Sequence, residues 1–407
     1  MDLSKKNISF YKIRKVLHSL DREVGLFYFK DSSYQRTLYE KYLAFALPIK
    51  IFLLIFMIVS TAFVTHFEFL SMIFCVSLLT VYLCLYSILT KFSRNRKVLQ
   101  GLVAWCESLY KVEEKFDKSI KDTVTTHLIQ MKKWTVIIVP ALQITLACLS
   151  LTITFAFAVI TLFLPEHIYP KFSPPIPYYL PFPNQKTWPA YIITVSVHTQ
   201  AGLHAATLTS FVFGFFYAIV IHILGVLDMV LDSIKLLKAE LLEKIKRRES
   251  LSTSSFDNWM RIIVDMIADV NEVVSTLSNL YAEYFLLLEF TSFATLFIAG
   301  LIVTVVKTQY FMVFLTCYNV MFYTVCYIHE KVLKKLNDIT DAMYDLPWEH
   351  LNARQGKTLA LAMKCNQVQK GFMAAAIHTI TIERFGLIVK AGYTNLLILK
   401  DLVAKHT

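Results

Sequence analysis

Seven long apolar stretches divide this chain of 407 residues. A helix that crosses a bilayer needs about 20 predominantly apolar residues, because the hydrocarbon core is about 30 Å thick and a helix rises about 1.5 Å per residue. A water-soluble domain of this size has no core large enough to bury seven such segments. The pattern therefore predicts an all-α membrane protein with seven transmembrane helices, spans 1 to 7, at 42–64, 69–90, 135–164, 193–224, 284–306, 309–329 and 379–399.

The charge distribution sets the orientation of these spans. Of the 41 Lys and Arg residues, 9 lie before span 1 and 10, 7 and 7 lie in the segments after spans 2, 4 and 6, against 5 in the segments on the opposite side. Positively charged loops remain in the cytosol, so we expect a cytosolic N-terminus and an extracellular C-terminus. A G-protein-coupled receptor has the reverse orientation and is excluded. The same asymmetry accounts for the net charge of +11, so we expect contact with membrane lipid and no nucleic-acid partner.

Two cytosolic segments have the periodicity of amphipathic helices. Apolar residues recur at helical spacing through 227–249 and through 259–281, and the polar stretch 249–255 separates them. Their apolar stripes need a partner, either each other or another subunit; the bilayer surface is the alternative. The predicted organisation is a cytosolic N-terminal segment (1–41), spans 1 to 4 (42–225), a cytosolic helical hairpin (226–283), spans 5 and 6 (284–329), a cytosolic anchor region (330–378), and span 7 with the outer C-terminus (379–407).

The outer loop between spans 3 and 4, residues 165–190, carries most of the prolines of the chain together with several Tyr, Phe and Trp residues. Proline fixes φ and removes a backbone donor, so the loop is predicted to be rigid without being helical. Two interpretations remain open: a lid over a molecule bound among the outer helix ends, or a packed cap that shields those ends from water.

The sequence contains no pattern of residues typical of catalysis. We find no nucleophile paired with a base, no Gly-rich phosphate loop and no cluster with metal-ligand spacing. The prediction is a protein that is not an enzyme and that needs no cofactor or metal. A secondary transporter is a further alternative, but it would show an internal repeat and helices broken at the midplane, and the sequence shows neither.

The most specific pattern lies in the C-terminal third. Aromatic residues follow span 6, a glutamine follows them, and span 7 holds a fixed frame of charged and aromatic residues before a leucine-rich end. This region resembles the signature region of the insect odorant receptors, and the chain length, the predicted topology and the Pro-rich outer loop extend the resemblance over the whole chain. The residues that carry it are Tyr344, Trp348, Gln367 and the frame Glu383-x-Phe385-x4-Lys390-x2-Tyr393.

Two positions favour one branch of this superfamily. The related gustatory receptors usually carry Thr before the final Tyr and Gln six residues after it, where this chain has Gly392 and Leu399. The cytosolic insertion typical of the shared co-receptor is also missing. The resemblance therefore favours an odorant-specific tuning subunit, with a gustatory-receptor-type ligand-gated cation channel as the alternative.

The resemblance implies a function. Odorant receptors of insects are odorant-gated, non-selective cation channels, formed as heterotetramers of a tuning subunit and the odorant co-receptor. They reside in the plasma membrane of olfactory sensory neurons, and each subunit binds a small volatile organic ligand in the outer half of the membrane. A central pore is lined by the last helix.

A pocket for a volatile ligand needs aromatic and aliphatic walls with one or two polar groups. The family places this pocket among spans 2 to 6, and any single aromatic residue there is as readily explained by packing or by lipid contact. The candidate ligand-binding residues are Phe74, Leu78, Thr152, Phe155, His198, Gly202, Leu203, Thr207, Phe293, Phe297, Tyr310, Phe314 and Tyr318.

The candidate pore and gate residues share roughly one side of span 7: Tyr393, Leu396, Leu399 and Lys400. Leu396 occupies the position of the family's gating aliphatic residue, and a hydrophobic ring closes a pore by excluding water. Lys400 falls near the outer constriction, where four positive charges would repel cations, so we expect fewer than four copies of this chain per channel. Ordinary helix packing for the leucines and a solvated interfacial position for Lys400 are the alternatives.

Charged residues within the spans need a partner, because an isolated charge at that depth is costly. Lys50 can extend to the cytosolic surface. Glu289 is expected to face a neighbouring helix or a water-filled cavity. Glu383 and Arg384, at the start of span 7, are expected either to form an ion pair with another element or to be exposed at the cytosolic vestibule.

Overall fold

The fold is almost entirely helical. The computed structural model describes residues 10–24, 52, 55–56, 59, 83, 85–111, 118–163, 187–249, 252–301, 310–367, 371–375 and 377–406. The elements in chain order are α1 (Tyr11–Val24), α2 (Arg96–Leu109), α3 (Lys118–Phe163), α4 (Trp188–Lys246), α5 (Thr253–Leu301), α6 (Tyr310–Tyr344), a 3₁₀ turn (Trp348–His350), α7 (Ala353–Gln367), β1 (Met373–Ala374), β2 (His378–Thr379) and α8 (Ile382–His406).

The described residues confirm the all-α prediction, with one exception near the C-terminus. Three helices are long and apolar enough to cross a membrane within the part of the chain that the structure describes. They include residues 135–163 of predicted span 3, all of predicted span 4, and residues 284–301 of predicted span 5. Spans 1 and 2 lie outside the described residues apart from isolated positions and the helical end of span 2 at 85–90, and so does all but the end of the outer loop 165–190.

The two longest helices continue from the predicted membrane region into the predicted cytosolic hairpin. α4 has 59 residues and α5 has 49, which corresponds to about 88 Å and about 74 Å, well over the ~30 Å of the hydrocarbon core. Gly225 does not interrupt α4, because it packs against Met131 of α3 at a point where a larger side chain would collide. The glycine therefore permits a close approach of two helices rather than ending one.

A tight turn ends α4. Arg248 adopts a positive φ of 59°, and the amide of Glu249 donates to the carbonyl of Lys244 at 2.8 Å while that of Arg248 donates to Ile245 at 3.0 Å. These two bonds form a Schellman motif, which satisfies the last carbonyls of a helix. Ser252 caps the start of α5, because its hydroxyl accepts a hydrogen bond from the amide of Ser255 at 3.3 Å.

An aromatic cluster fills the space where α4 and α5 meet. Phe211, Phe216, Tyr281 and Phe285 are buried, and the Phe216 ring lies 5.3 Å from Tyr281 and 5.6 Å from Phe285. Large rings at these spacings pack edge to face and bury much apolar surface. The hydroxyl of Tyr281 donates to the carbonyl of Val212 at 2.6 Å, so the polar end of the ring is also satisfied.

The N-terminal helix α1 packs against α3 and α4. Phe10, just before it, lies 5.5 Å from the ring of Tyr110, which follows α2. Burial raises the pKa of Tyr110, and the neighbouring Cys106 adds to the effect. The phenol therefore keeps its proton and donates to Nε2 of His222 at 3.1 Å, while Nδ1 of the same ring donates to Ala218 at 2.7 Å.

A small β-hairpin precedes the last helix, and the sequence did not predict it. The two-residue strands β1 and β2 pair antiparallel, with Met373 opposite Thr379. Hydrogen bonds to α5 support this short pairing: the amide of Met373 donates to the hydroxyl of Ser278 and that of Ala375 to the carbonyl of Ala282. As a result α8 begins at Ile382, three residues after the predicted start of span 7 at 379, and it continues to His406.

Candidate functional site

The start of α8 is held by groups from three neighbouring segments. Thr381 caps the helix, since its hydroxyl accepts the amide of Arg384 at 3.1 Å. The first amide of the helix, at Ile382, donates to a carboxylate oxygen of Glu330 on α6 at 2.8 Å. A carboxylate is favourable at this end of a helix because the aligned peptide dipoles leave partial positive charge there.

A second carboxylate, Glu289 of α5, accepts hydrogen bonds from two basic side chains of the same region. One oxygen accepts from Nε2 of His378 and the other from Nε of Arg384, each at 2.7 Å. The Glu289 side chain is only 9% exposed. Of the two expectations for Glu289, the structure therefore shows contact with a neighbouring helix. Arg384 forms the expected ion pair with another element, while the side chain of Glu383 is exposed.

One face of α8 packs against α5 and α6. The ring of Phe385 lies 5.9 Å from Phe322 and 5.4 Å from Tyr323, both on α6. Ile388 is buried, and Gly392 faces α5 so closely that an added Cβ would be 3.0 Å from the Cβ of Leu296. The absence of a side chain at position 392 thus permits the contact between α8 and α5.

The opposite face of α8 is exposed on the single chain. Tyr393 is 60% exposed, and Leu397 is exposed as well. Leu396 is half-buried, at the edge of the face that packs on α5. The side chains of Leu399 and Lys400 lie outside the described part of the structure, although both residues belong to α8. The pore assignment of these residues stays a prediction.

The candidate pocket residues on α3 and α4 have different environments. Thr152 and Phe155 are exposed, Phe155 to 72%, so the structure does not bring them into the interior of this chain. His198 is buried, whereas Leu203 and Thr207 are half-buried and joined by a hydrogen bond of 2.9 Å from the Thr207 hydroxyl to the Leu203 carbonyl. These five remain candidates for ligand contact.

Gly202 marks a close contact between α3 and α4. A Cβ at this position would collide with the hydroxyl of Ser150 on α3. Small residues at such points let two membrane helices approach each other closely. Gly202 therefore contributes shape to this region rather than a side chain that could contact a ligand.

Phe293 and Phe297 of α5 are half-buried, one turn apart on the same side of the helix. On α6, the side chains of Tyr310, Phe314 and Tyr318 lie outside the described residues, as do Phe74 and Leu78 altogether. The structure therefore locates seven of the thirteen candidate side chains and the glycine, and it supplies no contact that joins them into one pocket.

A buried polar network joins α5 to α6 beside these phenylalanines. The Ser292 hydroxyl donates to the side-chain oxygen of Asn319 at 2.5 Å, and the Asn319 amide donates to the Thr295 hydroxyl at 3.0 Å. Ser292, Thr295 and Asn319 are not among the candidates predicted from the sequence. Their signal was available, because polar side chains inside apolar spans need partners on neighbouring helices.

Comparison with known proteins assigns the chain to a family. The family model described as the 7tm odorant receptor matches residues 68–393, which is most of the chain. This chain belongs to the odorant receptor family. No curated protein sequence matches it.

Two solved structures have the same fold as this odorant receptor. Both are of the insect olfactory receptor OR5 from Machilis hrabei, one of them in complex with eugenol. Each has a TM-score of 0.71 and 13% sequence identity; the first covers 96% of this chain and 97% of OR5, and the complex covers 97% of both. The predicted family and the seven-helix membrane fold are thereby confirmed.

The family also fits the chemistry of the described residues. Within that part of the receptor, no group of three His, Cys, Asp or Glu side chains could hold a metal ion. Odorant receptors are a receptor class rather than an enzyme class, and the acidic and basic residues at the start of α8 bind one another and backbone groups. The arrangement is suited to holding helices in a fixed relation.

Proposed function

We propose that this odorant receptor is the odorant-specific subunit of a heteromeric, odorant-gated, non-selective cation channel in the plasma membrane of olfactory sensory neurons. Its partner is the odorant co-receptor, and its ligand is a small volatile compound. The observation that carries this proposal is the two-sided character of α8, in a chain that belongs to the odorant receptor family.

The two faces of α8 have different partners. Ile388 and Gly392 pack on the neighbouring helices of the same chain, while Tyr393 and Leu397 lie on the surface of that chain. In a channel built from several subunits, the exposed face is the one available to line a central pore. Apolar side chains there would close the pore by excluding water. We therefore propose Tyr393, Leu396, Leu399, Lys400 and also Leu397 as the pore-lining set.

Lys400 supports a heteromer rather than a homomer. Four lysines around one constriction would oppose the passage of cations, since like charges in a narrow, weakly hydrated site repel strongly. One or two copies among co-receptor subunits reduce that repulsion. The proposed stoichiometry is therefore fewer than four copies of this chain per tetramer.

The proposed ligand site lies among spans 2 to 6, at the candidate residues named from the sequence. The related OR5 has been solved in complex with eugenol, a compound of the size and polarity that an aromatic pocket with few polar groups binds. The stronger candidates are those that are buried or half-buried: His198, Leu203, Thr207, Phe293 and Phe297. Phe155 is the weakest, because its ring is exposed.

The direct test is a recording of whole-cell current from cells that express this chain alone, the co-receptor alone, or both. A panel of volatiles that includes eugenol is applied, and surface expression is measured by a tag on the extracellular C-terminus. We expect odorant-evoked current that requires both chains, with a reversal potential near zero. Robust current from this chain alone would favour a homomeric or gustatory-type channel, and no current despite surface expression of both chains would contradict the proposal.

The lining of the pore has its own test with a matched control. Tyr393→Cys and Leu397→Cys place a thiol on the exposed face of α8, and Ile388→Cys places one on the packed face of the same helix. A positively charged thiol reagent should reduce the odorant-evoked current of the first two variants and leave that of the third unchanged. Equal effects on all three, or none on any, would show that this face of α8 does not line the pore.

A further inference from the structure

The start of α8 contains an ion pair whose position is unusual for a helix. Arg384 is the third residue of α8, near the positive end of the helix dipole, where a cation is unfavourable. The arrangement is stabilised only if a negative charge lies against the guanidinium. Glu289 of α5 supplies that charge at 2.7 Å. The charge of Arg384 is unfavourable at the start of its own helix, and the contact with Glu289 offsets that cost.

The carboxylate of Glu289 depends equally on its partners. A buried carboxylate without a partner is strongly unfavourable, and it is tolerated when both oxygens accept charge-assisted hydrogen bonds. His378 on β2 and Arg384 on α8 each occupy one oxygen at 2.7 Å. Glu289 therefore ties two successive segments, the hairpin and the last helix, to a single point on α5.

The position of Glu289 along α5 connects this point to the candidate pocket. Phe293 and Phe297 follow it by four and eight residues, so they lie about 6 Å and about 12 Å further along the same side of the helix. A ligand that displaces these rings along or around α5 displaces Glu289 with them, because the intervening residues form one continuous helix. The two ends of this segment move as a rigid body.

We propose that Glu289 is a positioning residue for gating: by binding His378 and Arg384 together, it holds the start of α8 on α5 and transmits movement of α5 to the pore helix. This inference rests on the proposed channel function. The hydrogen bonds fix a direction as well as a distance, because the planar guanidinium and the imidazole each offer a donor in a set geometry. A rotation of α5 then either carries α8 with it or breaks both bonds, so the equilibrium between closed and open pores depends on this carboxylate.

The test is a double-mutant cycle in the full-length chain co-expressed with the co-receptor. Glu289→Gln, Arg384→Gln and the double variant are compared with the wild-type chain by the odorant concentration that gives half-maximal current. This quantity does not depend on how many channels reach the surface. Glu283→Gln is the matched control, since Glu283 lies on the same helix but is exposed and binds only the side chain of Lys91 among the partners that the structure gives it.

We expect each single variant to shift the half-maximal concentration at least about fivefold, and the double variant to shift it no further than the larger single shift, because contacting residues are not additive. The fraction of maximal current that flows without odorant should change in parallel. Glu283→Gln should stay within about twofold of wild type. Shifts that multiply in the double variant, or singles equal to the control, would overturn the inference.

A replacement variant and the wild-type current separate failure of this inference from failure of the proposed function. If Glu289→Gln does not reach the surface, Glu289→Asp replaces it in the cycle, because it keeps the charge but shortens the side chain and withdraws the oxygens from both partners. A wild-type chain that gives no odorant current with the co-receptor would contradict the proposed function itself. Wild-type current with unshifted variants would contradict the role of Glu289 alone.

Discussion

Replacement of Phe372 by alanine should release the hairpin that precedes the last helix. Phe372 is fully buried, and its ring lies 5.3 Å from Phe216 of α4, 6.1 Å from Phe285 of α5 and 5.7 Å from His329 of α6. It is thus the side chain by which the segment before α8 enters the aromatic cluster. Truncation to alanine leaves a cavity that the surrounding rings, fixed on three helices, cannot close.

The expected magnitude follows from this environment. Removal of a buried phenylalanine ring costs about 3–5 kcal/mol, the sum of lost transfer free energy and the cavity left behind. The hairpin is short, so its docking on α5 depends largely on this side chain and on the bonds of Met373 and Ala375 to α5. Local opening of the hairpin should therefore become easier by most of that amount.

Opening of the hairpin can be measured by hydrogen exchange with mass spectrometry on the purified receptor in nanodiscs. The amides of Met373 and Ala375 exchange only when the hairpin leaves α5, so their rates follow the free energy of opening. A loss of about 3–5 kcal/mol corresponds to exchange faster by about a hundredfold to a few thousandfold, since 1.4 kcal/mol is a factor of ten. Phe372→Leu should fall between alanine and wild type.

Ile377 provides the matched control in the same hairpin. Its side chain is 70% exposed, and substitutions at such positions usually change stability by less than about 0.5 kcal/mol. Ile377→Ala should therefore leave the exchange of Met373 and Ala375 within about threefold of wild type. If Phe372→Ala behaves like Ile377→Ala, the ring does not hold the hairpin, and the argument from burial is wrong.

Two further variants test smaller effects. Burial, together with the charges of Asp265 and Glu272, raises the pKa of Asp269 in the predicted cytosolic hairpin, so its ionised form destabilises the fold. Asp269→Asn should stabilise the detergent-solubilised receptor at pH 7 by less than about 1 kcal/mol, seen as a higher thermal midpoint, because like charges three or four residues apart on a helix each cost about 0.2–0.5 kcal/mol. This gain should be lost as the pH falls, because wild-type Asp269 becomes protonated in the folded and then in the unfolded state. Ser292→Ala removes the hydroxyl that donates to Asn319. It should destabilise the receptor by about 0.6 kcal/mol, the average for such bonds between membrane helices, and so lower the thermal midpoint. An unchanged midpoint would mean that Asn319 finds another donor.

The sequence was a good guide to this fold wherever apolar length determines structure. Runs of twenty or more apolar residues predicted spans 3, 4 and 5, and the structure contains a long helix at each. Helical periodicity also extended the prediction through 227–249 and 259–281, because one apolar stripe repeats at helical spacing across both segments. What periodicity could not give is whether a membrane helix and a cytosolic helix are continuous: α4 crosses Gly225 without a break, since packing against Met131 compensates for the low helix propensity of glycine.

The hairpin at 373–379 could not be predicted, because it leaves no pattern in the local sequence. Its strands have two residues each, too short for any alternation of apolar and polar residues to be recognised. The hairpin exists because Phe372 enters the aromatic cluster and because Ser278 and Ala282 accept its amides. The two hydrogen bonds join residues 95 and 93 positions apart, and Phe372 lies 87 positions from Phe285 and 156 from Phe216. Local sequence carries no information about such pairs.

The charged residues of the candidate site could also be predicted only in part: the sequence indicated that they need partners but not which partners. Intramembrane charge alone indicated that Glu289 and Arg384 need partners: Glu289 was expected to face a neighbouring helix or a water-filled cavity, and Arg384 to form an ion pair with another element or to be exposed. The sequence did not match Glu289 to Arg384, because they are separated by 95 positions and because Glu383, next to Arg384, is acidic as well. The helix geometry decides between them: Glu383 lies on the exposed side of α8, while Arg384 reaches α5.

Under the proposed function, ligand selection and channel opening fall to different residues of α5. Phe293 and Phe297 present apolar surface, so in that proposal their substitution should change which volatile fits and leave the Glu289 carboxylate, one turn from Phe293, unaltered. Among the described residues, the Glu289 oxygens accept from His378 and Arg384, so its substitution should change the proposed link to α8 and not the walls of the proposed pocket. Because one rigid helix carries both features, a receptor can acquire a new odorant preference by exchange of the aromatic residues while its means of coupling to the pore stays intact.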